Sequence, residues 1–168
     1  ALGGVRAALG EREEARAAFQ RALDADPTDE LGAKVQLARL GEAPVADAIA
    51  AGYVAALFDQ YATAFESSLV ERLGYSGPAL LHAAILAQRG PQAHFARCLD
   101  LGCGTGLAGV ALRPFCASLI GFDLSAGMLA QARAHPAAVG IAWHVADIRS
   151  FLTDRAGGSA ALAVAAWS

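Results

Sequence analysis

The second half of the chain alternates short β-type runs with helical runs, and this alternation limits the folds open to it. The β-type runs lie at residues 97–101, 117–122, 141–145 and 160–167, and the helical runs between them at residues 107–113, 126–135 and 148–152. Strands that alternate with helices are typical of a parallel sheet, whose neighbouring strands need crossover connections. The alternation therefore predicts an α/β fold.

The first part of the chain is helical. Apolar and small residues recur there at three- and four-residue spacing, Gly10 interrupts the first run, and Pro27 ends the second. This pattern predicts a helix, a turn and a second helix. A third helical run follows at residues 31–40.

A segment with glycine and proline, Gly41 to Pro44, separates this helical region from the rest. Such residues end helices and mark loops. We therefore predict two regions, residues 1–44 and residues 45–168. The second region begins with further helices, the last of which is opened by Pro78, before its first strand.

The charges of the chain exclude several partners. Its 13 basic and 16 acidic residues give a formal net charge of −3, and no basic stripe with interleaved aromatic residues is present, so nucleic acid is not predicted as a partner. No apolar run reaches the length of about 18 residues that a membrane helix needs, and no signal peptide is recognisable. These features predict a cytoplasmic protein without a membrane contact.

The cysteines, Cys98, Cys103 and Cys116, are odd in number and lack a CxxC pair. Neither a disulfide framework nor a zinc site is predicted from them, and a reducing compartment fits this pattern. The histidines lie on separate elements without a partner at ligand spacing. No metal is therefore expected, and only His144 is placed to approach a pocket.

The most informative segment follows the first predicted strand. That strand ends in Leu99–Leu101, and the loop Gly102–Gly106, with the sequence GCGTG, follows directly before a helix. Glycines remove side chains that would keep a ligand away from the backbone, and they permit turns with positive φ. A nucleotide-like ligand can therefore lie against this loop at the carboxyl edge of the sheet, where open α/β folds bind their ligands.

Acidic residues follow the next two strands. Asp123 ends the second strand, where a carboxylate can accept hydrogen bonds from both hydroxyl groups of a ribose. Asp147 follows the third strand and can accept from the exocyclic amine of adenine, while the backbone N–H of Ile148 can donate to the ring. Ser125 is expected to cap the helix after the second strand. Together these residues predict an adenosine-containing cofactor.

Two cofactors of this kind remain open. The segment from Gly104 to Gly109 reads formally as GxGxxG, which dinucleotide-binding enzymes also carry, and this motif alone does not discriminate. Asp100 lies immediately before the loop, where its charge would repel a pyrophosphate and attract the ammonium and sulfonium groups of S-adenosylmethionine. The sequence therefore favours S-adenosylmethionine over a nicotinamide dinucleotide.

Three segments, Asp100–Gly106, Gly121–Ser125 and Ala146–Ile148, resemble in order and spacing the first cofactor motifs of class I, Rossmann-like S-adenosylmethionine-dependent methyltransferases. The resemblance implies that the glycine loop runs beside the methionine and ribose, and that residues after the second strand pack against the adenine. It also implies that Asp100 meets the amino group directly or through water. The implied cofactor-binding residues are Asp100, Leu101, Gly102, Cys103, Gly104, Gly106, Asp123, Leu124, Met128, Asp147 and Ile148.

The segments before the sheet resemble bacterial methyltransferases that carry an N-terminal tetratricopeptide region. Tyr53–Leu73 is similar to the helices that cover the cofactor in those proteins, which implies a role for Tyr61 as a lid residue. The resemblance also implies a helical surface on which the acceptor or a protein partner can dock. The first helices match one tetratricopeptide repeat at Leu2, Gly3, Gly10, Ala15, Phe19, Ala22 and Pro27.

The resemblance further predicts a shortened sheet. The fourth strand of the family usually ends in polar residues that face the substrate, whereas residues 160–167 are apolar and the last three strands of the family are absent. The expected fold is therefore a Rossmann-like parallel sheet, truncated after the fourth strand and preceded by a tetratricopeptide-like helical region.

These features predict an S-adenosylmethionine-dependent methyltransferase that acts on an unidentified small-molecule or protein acceptor. No catalytic residue is nominated, because methyl transfer is an in-line displacement that alignment in a desolvated pocket can promote. Two alternatives remain. One is a non-catalytic module that binds the cofactor, or a protein partner through the repeat; the other, less favoured, is a nicotinamide-dependent oxidoreductase.

Overall fold

The computed structural model of the chain describes residues 2–42, 44, 49–153 and 157–166. The chain forms two compact units, Ala1–Leu57 and Phe58–Ser168. The predicted boundary at Gly41–Pro44 stays a prediction, because Ala43 and residues 45–48 lie outside the described residues.

The first unit contains a helical hairpin. Helix α1 (Leu2–Ala8) and helix α2 (Arg12–Ala25) pack against one another, and the turn at Gly10 joins them. Their close approach depends on Gly3, since a Cβ atom there would lie 2.6 Å from the ring of Phe19. The predicted helix–turn–helix is confirmed, and its assignment to the tetratricopeptide repeat stays a prediction.

Helix α3 (Ala33–Arg39) begins later than the predicted run at residues 31–40. Asp29 is buried with a φ of 58°, and its carboxylate accepts hydrogen bonds from the N–H groups of Ala33 at 2.5 Å and Lys34 at 3.0 Å. Gly32 adopts a φ of 70°. The left-handed backbone at Asp29 and Gly32 keeps the preceding residues out of the helix, and the carboxylate satisfies N–H groups that the first turn leaves free.

Two helices precede the sheet. Helix α4 (Ala51–Glu66) continues into a π-helical segment, Ser67–Arg72. Helix α5 (Gly77–Arg89) has a proline in its first turn, as expected from Pro78. No helix within the described ranges is both long and apolar enough to cross a membrane.

All strands of the sheet run parallel, in the order β3–β2–β1–β4. The strands are β1 (Phe95–Leu101), β2 (Cys116–Asp123), β3 (Ile141–Val145) and β4 (Leu162–Val164). The connections contain α6 (Leu107–Leu112), a 3-10 turn (Arg113–Phe115), α7 (Ala126–Ala134) and α8 (Ile148–Thr153). This confirms the predicted Rossmann-like parallel sheet. The fourth strand is shorter than the predicted run at residues 160–167, whose last residue lies outside the described ranges.

The core of the second unit lies between the sheet and the helices α5 and α6. Its buried residues are Cys98, Leu112, Cys116 and Leu119, with Leu81 and Ile85 of α5 packed against them. Cys98 and Cys116 are joined in a disulfide with their Cα atoms 6.2 Å apart, which corrects the expectation that the cysteines form none. Neighbouring strands bring the two residues together across 18 positions of sequence, and a search for closely spaced cysteines does not detect such a pair.

Candidate functional site

The carboxyl ends of β1, β2 and β3 meet at one edge of the sheet. The register pairs Leu101 with Phe122 and Asp123 with Val145, so the segments that follow these strands lie side by side. The strand order reverses at β1, which lies between β2 and β4. Open α/β sheets bind ligands at the carboxyl ends of strands beside such a reversal. The structure thus brings the predicted loop and the predicted acids to one edge.

The glycine loop is a tight turn between β1 and α6. The N–H of Cys103 donates to the carbonyl of Phe122 at 2.9 Å, and the N–H of Gly106 donates to the carbonyl of Cys103 at 2.8 Å. Gly102, Gly104 and Gly106 adopt φ angles of 67°, 53° and 86°. Residues with side chains rarely adopt such angles, so the positive φ predicted for this loop is confirmed.

The glycines of the loop leave room for different neighbours. A Cβ atom at Gly104 would meet nothing within 4 Å, so the loop presents bare backbone to open space there. A Cβ atom at Gly106 would lie 2.7 Å from the ring of Trp143, so this glycine accommodates another part of the protein. The interpretation that the glycines make room for a ligand thus fits Gly104, whereas Gly106 is needed for internal packing.

Trp143 of β3 is a residue that the sequence analysis missed. The register places it opposite Gly121, which is itself opposite Asp100, and residues paired in this way point to the same face of a parallel sheet. A side chain at Gly121 would overlap the ring, and a Cβ atom at Gly109 would lie 3.1 Å from it. The ring therefore fills the space between the sheet and the start of α6. An aromatic residue level with a glycine on the next strand is the pattern that could have revealed it.

Asp100 lies on the same face, next to the start of α6. Its side chain has no exposed surface, and neither carboxylate oxygen has a hydrogen-bond partner among the described residues. Burial raises the pKa of Asp100 to about 7; the nearby N–H of Gly109 opposes this rise without reaching hydrogen-bond geometry, and the charge of Asp123 adds to it. Buried carboxylates are normally paired or hydrogen-bonded. The described part of the protein therefore leaves this buried carboxylate without a compensating donor.

Asp123 is held by the backbone on both sides. Its Oδ2 atom accepts a hydrogen bond from the N–H of Gly104 at 2.8 Å, and its Oδ1 atom accepts one from the N–H of Ser125 at 2.9 Å. A carboxylate offers about four acceptor positions, so these contacts leave capacity for further donors. The arrangement fixes the carboxylate beside the open backbone at Gly104, where hydroxyl groups of a ligand could reach it.

Asp147 has a local structural role after the third strand. Its carboxylate accepts a hydrogen bond from the N–H of Ser150 at 3.0 Å, and this contact with the first turn of α8 lowers the pKa of Asp147. Ile148 is the first residue of α8 and is half-buried. The segment stays close to β2, because the N–H of Ala146 donates to the carbonyl of Asp123 at 3.0 Å. The contacts of Asp147 and Ile148 with adenine stay a prediction.

The remaining residues predicted around the loop differ in burial. Met128 and Cys103 are buried, and Leu101 and Leu124 are half-buried. Burial raises the pKa of the Cys103 thiol, which opposes formation of a thiolate. Cys103 is therefore a packing residue of the loop and is not an activated nucleophile.

His144 was the one histidine expected near a pocket. Its ring is exposed and stacks against Phe122, with the ring centroids 5.6 Å apart. Within the described part of the chain, no cluster of three or more His, Cys, Asp or Glu side chains could hold a metal ion.

Helix α4 contributes a second residue that the sequence analysis missed. Asp59 accepts hydrogen bonds from the Ser125 hydroxyl and from the N–H of Gly127, the latter at 2.8 Å. The Ser125 oxygen accepts one from the N–H of Met128 at 3.0 Å, which confirms the predicted cap of α7. Asp59 and Ser125 are 66 residues apart, so no local pattern marks their contact. Tyr61, also on α4, is 58% exposed, and its role as a lid residue stays a prediction.

A comparison with protein families bears on this edge of the sheet. Residues 98–168 match a family described as a methyltransferase domain. The match contains every residue predicted to bind the cofactor except Tyr61. No curated protein matches the sequence.

Several solved structures are similar to part of the chain. CalS10, an amino pentose methyltransferase from Micromonospora echinaspora solved with bound SAM, is 28% identical with a TM-score of 0.42, over 57% of this chain and 41% of that one. Magnesium protoporphyrin IX methyltransferase from Synechocystis is 22% identical with a TM-score of 0.41, over 52% of this chain and 41% of that one. The chain spans about two fifths of the length of these proteins. At such low TM-scores, the likenesses carry no weight for the function of this chain.

Proposed function

We propose that the second unit, Phe58–Ser168, binds S-adenosylmethionine and transfers its methyl group to an acceptor. The observation that carries the proposal is Asp100, a fully buried carboxylate without a hydrogen-bond partner among the described residues, beside a glycine loop that leaves open space at Gly104. The match of residues 98–168 to a methyltransferase domain supports it.

The residues at this edge fit the parts of the proposed cofactor. Asp100 would pair with the amino group, because an unpaired buried carboxylate favours a cationic partner. The bare backbone at Gly104 would lie along the methionine and ribose, and Asp123 keeps acceptor positions for the ribose hydroxyls. The adenine side would be formed by Leu124, Met128, Asp147 and Ile148, with Tyr61 as the covering residue.

Electrostatics favour this cofactor over a nicotinamide dinucleotide. The carboxylate of Asp123 accepts a hydrogen bond from the N–H of Gly104, and Asp100 lies on the strand that leads into the loop. A pyrophosphate would place negative charge beside these carboxylates, whereas they would attract the ammonium and sulfonium groups of S-adenosylmethionine.

When bound, the cofactor supplies a methyl group on a positively charged sulfur. The contribution of the protein is then to align this group with the acceptor and to exclude water. The hydrogen-bonded loop and the anchored carboxylate of Asp123 provide the frame for that alignment. We propose a small molecule or a protein as the acceptor and assign no base.

Calorimetric titration of the full chain tests the cofactor. The ligand is S-adenosylhomocysteine, the demethylated product, with a nicotinamide dinucleotide as the competing ligand. We expect the wild type to bind S-adenosylhomocysteine, Asp100→Asn to bind it about tenfold more weakly, and neither protein to bind the dinucleotide. Asp24→Asn, on α2 in the first unit, is the matched control and should bind like the wild type.

Two results would count against the proposal. Absence of binding to S-adenosylhomocysteine at millimolar concentration would remove its basis. Binding of the dinucleotide that strengthens in Asp100→Asn would instead favour the oxidoreductase, because the substitution removes the charge that repels a pyrophosphate.

A further inference from the structure

We infer that Asp59 is a positioning residue for the proposed cofactor site. Its carboxylate, on α4, fixes the start of α7 and with it the segment from Asp123 to Met128. The inference rests on the proposed function, which assigns the ribose and adenine to residues of that segment.

Asp59 makes two contacts with the start of α7 through one atom, Oδ1. The N–H of Gly127 donates to this atom at 2.8 Å, and the hydroxyl of Ser125 donates to it as well. Ser125 has no exposed surface, so the acceptor for its hydroxyl proton comes from the protein. Without the Asp59 carboxylate, two donors at the start of α7 lose their acceptor.

The contact is also sterically tight. A Cβ atom at Gly127 would lie 3.0 Å from the Asp59 carboxylate and 3.3 Å from the Cβ atom of Ala62. Ala62, one turn along α4 from Asp59, is 4% exposed. The two helices are therefore packed against each other at this point, and the position of one restrains the other.

The start of α7 benefits from a carboxylate for an electrostatic reason. The first turn of a helix has free N–H groups and a partial positive charge, which an acidic residue stabilises. The first turn of α7 contains no acidic residue of its own. Asp59 supplies this charge from another helix.

A chain of hydrogen bonds connects Asp59 to the glycine loop. The hydroxyl of Ser125 donates to Asp59, and the backbone N–H of Ser125 donates to Asp123 at 2.9 Å. Asp123 in turn accepts from the N–H of Gly104 at 2.8 Å. Because one residue makes both contacts, loss of the contact with Asp59 releases the residue that aligns Asp123.

The test is the affinity of the full chain for S-adenosylhomocysteine, measured by calorimetric titration. We expect Asp59→Ala to weaken binding about tenfold, and Asp59→Asn, whose amide oxygen can accept the same hydrogen bonds, to stay within about threefold of the wild type. Gln60→Ala is the matched control, since Gln60 is the exposed neighbour on the same helix, and it should bind like the wild type. A loss in Asp59→Ala that Asp59→Asn restores supports the inference, whereas wild-type affinity in Asp59→Ala overturns it.

Amide hydrogen exchange of the ligand-free chain provides a readout that does not depend on the cofactor. We expect Asp59→Ala, but not Gln60→Ala, to speed exchange at Gly127 and at Gly104. If the wild type binds no S-adenosylhomocysteine while exchange at Gly104 is still faster in Asp59→Ala, the proposed function fails and the coupling between Asp59 and the glycine loop stands. Unchanged exchange at Gly104 overturns the coupling, whatever the ligand does.

A variant at the other end of the contact covers the case in which Asp59→Ala does not fold. Ser125→Ala removes the hydroxyl that donates to Asp59 and that accepts from the N–H of Met128, and it keeps the backbone N–H that donates to Asp123. We expect it to weaken binding of S-adenosylhomocysteine severalfold. Wild-type affinity in Ser125→Ala would overturn the inference, because the hydroxyl would then have no part in aligning Asp123.

Discussion

Asp100 and Asp123 lie at the carboxyl ends of the neighbouring strands β1 and β2, yet their surroundings are opposite. Asp100 has no exposed surface and no hydrogen-bond partner among the described residues. Asp123 is half-buried and accepts hydrogen bonds from two backbone N–H groups. The difference teaches that the loop already holds Asp123 in place, whereas the described protein leaves the carboxylate of Asp100 without a hydrogen-bond donor.

The largest effect that separates the two carboxylates is expected in the pH dependence of stability. Burial raises the folded-state pKa of Asp100 from 3.8 to about 7. The contribution of this group to stability is therefore complete below the lower value and is lost as the pH rises through the higher one. We expect the free energy of unfolding of Asp100→Asn, measured with urea and taken relative to the wild type, to rise by about 4 kcal/mol as the pH increases from about 4 to about 8.

The quantity to follow is the difference in free energy of unfolding between Asp100→Asn and the wild type at each pH, because other groups also titrate in this range. The neutral amide of Asp100→Asn keeps the shape of the carboxyl group and does not ionise. A stability difference that stays constant with pH would break the comparison, since Asp100 would then be solvated or paired in the folded protein.

A smaller effect on stability is expected from Asp123→Ala. The substitution leaves the N–H groups of Gly104 and Ser125 without their acceptor, which should lower the free energy of unfolding by about 2 kcal/mol in urea denaturation at neutral pH. Asp123→Asn keeps one oxygen acceptor and should cost less. If Asp123→Ala is as stable as the wild type, the loop does not depend on this carboxylate for its shape.

Of the two carboxylates, Asp100 and not Asp123 should make the affinity for S-adenosylmethionine depend on pH. An ammonium group beside Asp100 favours the ionised carboxylate, so binding is coupled to release of its proton. We expect affinity to weaken about tenfold from about pH 8 to about pH 6 in the wild type, with a flat profile in Asp100→Asn. Titration in buffers with different ionisation enthalpies would detect the released proton, and its absence would separate Asp100 from the amino group.

The smallest effect is expected at the third strand. The Asp147 carboxylate contacts the first turn of the short helix α8, where it accepts a hydrogen bond from the N–H of Ser150. Asp147→Ala should lower the free energy of unfolding by about 1 kcal/mol or less. In calorimetric titration it should weaken binding of S-adenosylhomocysteine by about threefold, as expected for the net loss of one hydrogen bond at a site open to water. A loss of affinity larger than that of Asp100→Asn would reverse the order proposed for these carboxylates.

Sequence patterns recovered the features that depend on neighbours along the chain. The positive φ angles of Gly102, Gly104 and Gly106 follow from a glycine-rich turn between a strand and a helix. The cap by Ser125 follows from a serine directly before a helical run. The parallel sheet follows from the alternation of strands and helices. The glycine turn and the cap are local chemistry that a short window of sequence contains, and the sheet follows from the order of such windows along the chain.

Contacts between distant residues could not be predicted in the same way. The strand register pairs Trp143 with Gly121, and the position of the glycine loop over the sheet brings the same ring to Gly106. The pairing of β1 with β2 brings Cys98 and Cys116 close enough for a disulfide, and helix packing brings Asp59 to Ser125. The burial that raises the pKa of Asp100 is another such effect, since it depends on every element that covers the residue. The motif identified the residue, and the fold determined its protonation.

The ring of Trp143 lies against Gly106, Gly109 and Gly121, at the point where the glycine loop enters α6. Any displacement of the loop alters what surrounds the indole, and indole emission depends on those surroundings. The chain contains one other tryptophan, Trp167. A Trp167→Phe chain would therefore carry a single built-in fluorophore at the loop, and stopped-flow emission from it would follow loop motion in real time without an attached dye.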